Sequence, residues 1–133
     1  MTRVSSFRDL VVWQRGVDLV RDVYLLTAKW PAEERYGLTS QVRRAAVSVP
    51  ANIAEGQGRQ GRAELRRALS IAHGSLCELE THLEVAKRLD YPDPAAIDRL
   101  LGLAADVGRL LRGLISSIDR QGVNGLQAPR VDS

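Results

Sequence analysis

From Arg8 to Lys29 the apolar residues recur at helical spacing. Leu10, Trp13, Val17, Val20, Tyr24 and Thr27 follow steps of three and four, which puts them on one face of a helix. Ser6, with Asp9 three residues on, resembles a capping box, and Pro31 ends the pattern. The same segment carries a second stripe of Val12, Leu19, Val23, Leu26 and Trp30. One stripe is enough to bury a helix in a monomeric bundle. The first is therefore expected in the core, and the second against another subunit. The alternative is a small bundle that wraps this helix on two sides.

Three further helical patterns follow. From Thr39 to Gln57, Leu38, Val42, Ala45, Val49 and Ile53 line one face, and Gln41, Arg44, Ser48, Asn52, Glu55 and Arg59 line another. Pro50 removes a backbone donor in the middle, at a cost of about 3 kcal/mol. The apolar phase persists across it, which predicts one kinked helix rather than two. From Arg62 to Leu89, Leu65, Leu69, Ala72, Leu76, Leu79, Leu83 and Ala86 alternate strictly in fours and threes. Asp93-Pro94 then supplies an N-cap and a proline at the first helical position. Ile97, Leu101, Ala104, Leu111, Leu114 and Ile118 carry the last helix to about Arg120, with Gly122 after it. Strand signals are missing. The pattern predicts an all-α fold, an antiparallel up-down four-helix bundle over residues 1–122, with a disordered tail over 123–133.

Composition narrows the setting. A chain of 133 residues fits one domain with a core of its own. The lone Cys77 permits no internal disulfide, which fits a reducing cytoplasm. The first residues lack the apolar stretch of a signal peptide, and no apolar run approaches the ~20 residues of a membrane span. A soluble, cytoplasmic protein with no membrane partner is expected.

Charge adds one localised feature. Residues 35–70 carry seven Arg (35, 43, 44, 59, 62, 66 and 67) against Glu55 and Glu64, while residues 71–92 are net negative and both ends are balanced. Arg43, Arg44, Arg59, Arg62, Arg66 and Arg67 cluster around the junction of the second and third helices. Guanidinium groups suit phosphate through paired hydrogen bonds, so these six are candidates for nucleic-acid binding. The six aromatics lie at Tyr91 and in the first 36 residues, so none interleaves with the cluster. Contact to backbone or shape is expected rather than base stacking. The same arginines also read as a solvated surface. Alternatively they are structural: Glu55 and Arg59 form a helical pair, and Arg44, Asn52 and Glu55 could bond between subunits.

Catalytic signals are weak. Gly56-Gln57-Gly58-Arg59-Gln60-Gly61 spells G-x-G-x-x-G, but it follows a helix rather than a strand and reads as an interhelical turn. A polar strip on the third helix holds Arg66, Ser70, His73, Cys77, Glu80, Glu84 and Lys87. His73, Cys77 and Glu80 are metal ligands by type, yet one helix cannot surround an ion. The Glu-x-x-His pairs of di-iron bundles are missing. Cys77 has His73 one turn away but no orienting group or oxyanion loop. A protein without enzymatic activity, metal or cofactor is expected.

Several segments are familiar together. Phe7-Arg8-Asp9-Leu10 with Val12-Trp13-Gln14, the run from Tyr36 to Pro50, Asn52-Ile53-Ala54-Glu55-Gly56 with Gly58-Arg59, Ser75-Leu76, and Glu78-Leu79-Glu80-Thr81 resemble the four-helix bundle proteins encoded in intervening sequences of 23S ribosomal RNA genes. Gln57 and Gly61 depart from that pattern, which often has an aromatic and a hydroxyl residue there. The resemblance implies an antiparallel four-helix bundle, a homo-oligomer in the form of a five-membered ring, and no assigned enzymatic activity. A related bundle is the accessory protein of diversity-generating retroelements, which implies RNA or a nucleic-acid-handling protein as partner. Two functions are expected from residues and resemblance together. One is a non-enzymatic oligomeric bundle that binds RNA or a ribonucleoprotein through its Arg face. The other is an interaction scaffold whose arginines, with Val12, Leu19, Val23, Leu26, Trp30, Asn52 and Glu55, knit subunits together.

Overall fold

The computed structural model describes the backbone of residues 6–59 and 61–132, and the side chains within that range as far as residue 121. Helix α1 spans Val11–Thr27, α2 Leu38–Gly58, α3 Arg62–Arg88 and α4 Pro94–Asp132. Single 3-10 turns at Phe7–Asp9 and Ala32–Glu34 precede α1 and α2. Ser6 caps the first of these turns by accepting from the Arg8 N–H, so it acts one step earlier than the pattern predicts.

Neighbouring helices run antiparallel, as pairs of residues from opposite ends show. Arg43 near the start of α2 reaches Thr27 at the end of α1. Ser48 meets Ser75 across α2 and α3. Lys87 at the end of α3 meets Asp98 at the start of α4, and Arg66 near the start of α3 meets Asp119 far along α4. Lys29, just past α1, holds Asp93 beside the start of α4. The helix backbones neighbour one another in the cyclic order α1-α2-α3-α4-α1, and among the described residues neither diagonal pair brings Cα atoms within 8 Å. This is the expected antiparallel four-helix bundle.

Local chemistry sets the ends. The side chain of Glu34 accepts from the Leu38 N–H at 3.2 Å and so caps α2. Gly61, at φ +100°, makes the turn from α2 to α3 in a conformation open to glycine. Asp90, at φ +56°, ends α3, with the Tyr91 N–H bonded to the Ala86 carbonyl five residues back. Asp93 caps α4 through the Ala96 N–H at 3.1 Å. Helix α4 runs through Gly122, where the sequence pattern predicts an end. A helical glycine costs only about 1 kcal/mol relative to alanine, too little to stop a helix by itself. Side chains of the 123–133 tail lie outside the described residues.

The core follows the predicted faces of α2, α3 and α4. Val42, Ala45, Val49, Ile53, Leu69, Ala72, Leu76, Leu79, Leu83, Ala86, Ile97, Ala104, Leu111 and Ile118 are all buried. Helix α2 stays continuous through Pro50. Helix α1 reverses the expectation. Val12, Leu19, Val23, Leu26 and Trp30, assigned to a subunit contact, are buried inside the chain's own bundle. Leu10, Trp13 and Val20 from the other stripe are only partly buried, while Val17 and Tyr24 stand exposed. Gly16 explains the choice. It sits on the buried stripe against Pro50, where a Cβ would come 3.3 Å from the proline Cβ. A glycine adds nothing to an apolar pattern, yet it lets α2 approach on that side.

No helix among the described residues is long and apolar enough to cross a membrane.

Candidate nucleic-acid interface

The six candidate arginines do not form one surface. Arg66 turns to α4, where Nε lies 2.7 Å from Asp119 Oδ1 and one Nη 3.2 Å from Oδ2. This bonding holds the Asp119 carboxyl below the usual range and raises the Arg66 guanidinium. Arg59 bonds Glu55 one turn back at 2.9 Å. Their charges are compensated locally. Arg62 and Arg67 are exposed on the first turns of α3, and Arg44 is exposed on α2.

Arg43 and Arg44 belong to a different grouping. The end of α1, the turn before α2 and the first half of α2 enclose an open groove of about 620 Å³. Its lining comprises Tyr24, Arg35, Tyr36, Thr39, Ser40, Arg43, Arg44, Val47 and Ser48. Three arginines therefore line one groove, and among the described residues no carboxylate side chain lines it. Glu34 is close in sequence but outside the lining, its carboxylate turned to the Tyr91 hydroxyl, which donates to one oxygen, and to the Leu38 N–H, which donates to the other. Arg43 is anchored, its Nε donating to Thr27 Oγ1 at 2.8 Å and its guanidinium lying 4.4 Å from the Tyr24 ring centre. That contact fixes the side chain without neutralising its charge.

The aromatics correct the sequence reading. Tyr24 and Tyr36 are remote from most of the Arg cluster along the chain, but the α1–α2 hairpin brings both onto it. Arg35 lies 5.9 Å from the Tyr36 ring centre, and Tyr36 is 87% exposed. Tyr24 is 43% exposed and Val47 42%, so the groove also offers apolar surface. Arg35 itself joins the site only through the fold. Its place in the basic segment was the available signal.

A second groove runs along the α2/α3 face. Gln41, Arg44, Ser48, Ser75 and Glu78 line one stretch, and Asn52, Glu55, Arg59, Glu64, Arg67 and Ile71 the next. Asn52 donates to the Ser48 carbonyl and hydroxyl at 2.8 and 2.9 Å, and Ser48 bonds Ser75 at 2.8 Å. Charges of both signs alternate here, around an Ile71 that is 45% exposed. Asn52 and Glu55 thus sit together on a surface, unlike the five apolar interface candidates of α1.

On α3, Cys77 Sγ lies 3.8 Å from His73 Nδ1, whose ring faces Arg112 from α4 at 3.5 Å. Among the described residues no three His, Cys, Asp or Glu side chains converge as a metal site would require.

The sequence profile of the 23S rRNA-intervening sequence protein family matches residues 8–113. Among solved structures, the chain is similar to a protein of unknown function from the S23 ribosomal protein family of Bacteroides thetaiotaomicron. The two are 27% identical with a TM-score of 0.70, over 79% of this chain and 98% of that one. No curated protein matches the chain.

Proposed function

The chain belongs to the 23S rRNA-intervening sequence protein family, and from that premise we propose that it is a non-catalytic bundle that binds RNA. The observation that carries this reading is the groove between α1 and α2, where Arg35, Arg43 and Arg44 meet without a carboxylate among the lining residues. Clustered uncompensated guanidinium groups raise the local concentration of a polyanion and grip phosphate through paired hydrogen bonds. Arg66 and Arg59 contribute little, because Asp119 and Glu55 hold them.

The test is fluorescence anisotropy of a labelled structured RNA across a salt series. Three neutralised phosphates give a log–log slope of roughly −2 to −3. Changing Arg35, Arg43 and Arg44 together to Glu abolishes retention while circular dichroism keeps its helical signal. Full binding by a folded triple variant overturns the reading.

A second property rests on a different observation. On the α2/α3 face Arg59 pairs with Glu55 at 2.9 Å, and Arg67 and Glu64 lie beside them with an exposed Ile71. We propose it as the contact through which copies of the chain assemble, in place of the α1 stripe that the core has claimed. Ile71→Asp with Glu55→Arg then lowers the mass measured by light scattering. A monomeric wild-type protein, or an assembly untouched by both changes, removes this proposal.

A further inference from the structure

Resting on the RNA reading, we infer that the α1–α2 groove takes an unpaired stretch of RNA, with a base stacked on Tyr36 and the adjoining phosphates held by Arg35 and Arg44. Three observations lead there. The first is the exposure of Tyr36, at 87%. Its ring lies 5.9 Å from the neighbouring Arg35 guanidinium. An aromatic held this open on a turn has surface free for a planar partner. The second is the division of labour among the arginines. Arg43 is tied to Thr27 and to the Tyr24 ring, and so forms a fixed charged floor. Among the described residues Arg35 and Arg44 form no salt bridge, and both line the groove beside Tyr36. The third is continuity. A smaller depression of about 290 Å³ lies alongside and shares Arg35, Thr39 and Arg43 with the first. No carboxylate lines it either. The two adjoin through Arg35, Thr39 and Arg43, and the larger carries Tyr36, a basic track suited to a strand passing through rather than to a single small anion.

The stacking surface selects the nucleic acid's state. Bases of an A-form duplex are stacked on one another, and their deep, narrow major groove shuts out side chains. Only an unpaired base can lie on Tyr36. Stacking tolerates any base, because each has a π face, so the selection is for single strands rather than for sequence. Loss of one stacked base weakens binding by roughly 5- to 150-fold.

The experiment compares labelled RNA of about twelve nucleotides, unpaired, with a blunt duplex of the same length, a span within the usual single-strand site size. The wild-type chain is compared with Tyr36→Ala, Tyr36→Phe and the Arg35/Arg43/Arg44→Glu triple variant. Tyr36 is exposed, so neither substitution disturbs the core, and circular dichroism checks this. The inference expects the wild type to prefer the unpaired RNA by about tenfold or more, Tyr36→Ala to lose that preference, and Tyr36→Phe to keep it. Unpaired RNA held equally by wild type and Tyr36→Ala overturns it, as does a Tyr36→Phe variant as weak as Tyr36→Ala. If the two RNAs bind equally and the Arg triple variant abolishes both, the RNA reading stands and this inference falls. If neither RNA binds, both fall together.

Discussion

A methyl group on Gly56 would stand 2.6 Å from the Cβ of Ala68, closer than two carbon atoms pack. Helices α2 and α3 are therefore in near-backbone contact just before the turn that joins them. Leu65 adds to the crowding, with Cδ1 3.3 Å and its carbonyl oxygen 3.5 Å from the same point.

Gly56→Ala is expected to destabilise the bundle. Overpacking costs about 1–3 kcal/mol, against about 1 kcal/mol returned by helix propensity. A net loss of up to about 2 kcal/mol lowers Tm by up to several degrees in a thermal melt. Gly58→Ala is the control. It meets nothing within 4 Å, and its expected change is neutral to about 1 kcal/mol stabilising. Equal melting of the two variants would mean the helices separate more easily than the packing implies.

The two faces of α1 make opposite predictions. Leu19→Ala empties a fully buried position and is expected to cost about 2–5 kcal/mol in urea unfolding. Val17→Ala, at a position 39% exposed, is expected to stay within about 0.5 kcal/mol. A reversed ranking would restore the face that the sequence pattern favours.

Acid and base should each weaken the joint between the turn before α2 and the α3–α4 connection. The Tyr91 hydroxyl, then the Leu38 N–H, hold the Glu34 carboxyl below its ordinary range. A carboxylate lowered on folding stabilises fully above its unfolded pKa, about 4.3, and loses that contribution as pH falls below it. The same hydrogen bond raises the Tyr91 phenol. Its contribution is complete below about pH 10 and is lost as pH rises beyond that. Tyr91→Phe is expected to lower Tm at neutral pH and to shrink the difference between neutral and acid melts. A pH profile unchanged by that substitution would assign the acid sensitivity to Asp93 and Asp119, which are also lowered, by Lys29 and Arg66 respectively.

Arginine identity, not count, is expected to govern RNA retention. Arg44→Glu places a negative charge in the groove and is expected to weaken binding at least tenfold. Arg66→Glu breaks the contact with Asp119 on a different face and is expected to leave RNA affinity within about twofold. Anisotropy titrations of the two single variants at one salt concentration decide this. Equal loss would point to a diffuse electrostatic attraction without a defined groove.

Most of the fold was legible in the sequence because three helices carry a single apolar phase. Leu65 to Ala86 keeps one rhythm, and Asp93-Pro94 and Gly61 mark turns by backbone chemistry alone. Helix α1 was not, because its two stripes are nearly equal in apolar content. The deciding residue, Gly16, acts by having no side chain. The candidate site was half legible. Arg43 and Arg44 lie in the basic segment, but the spread of that segment over two helix faces is a matter of phase and partner. Asp119, 53 residues from Arg66, removes one candidate. Tyr24 joins the groove only because α1 folds back along α2, a neighbourhood that linear spacing cannot express.

The cyclic order of contacts also sets how the chain reaches its native state. Hairpins between consecutive helices make up three sides of the square, and only the α1–α4 side joins distant parts of the chain. Such a topology has low contact order, and helical bundles of this kind fold in microseconds to milliseconds. The α2–α3 hairpin, drawn tight at Gly56 and Ala68, needs the shortest loop closure and is the natural nucleus. Docking of α1 on α4 is left for last. The groove between α1 and α2, built from that hairpin alone, would then be complete before the ring of helices closes.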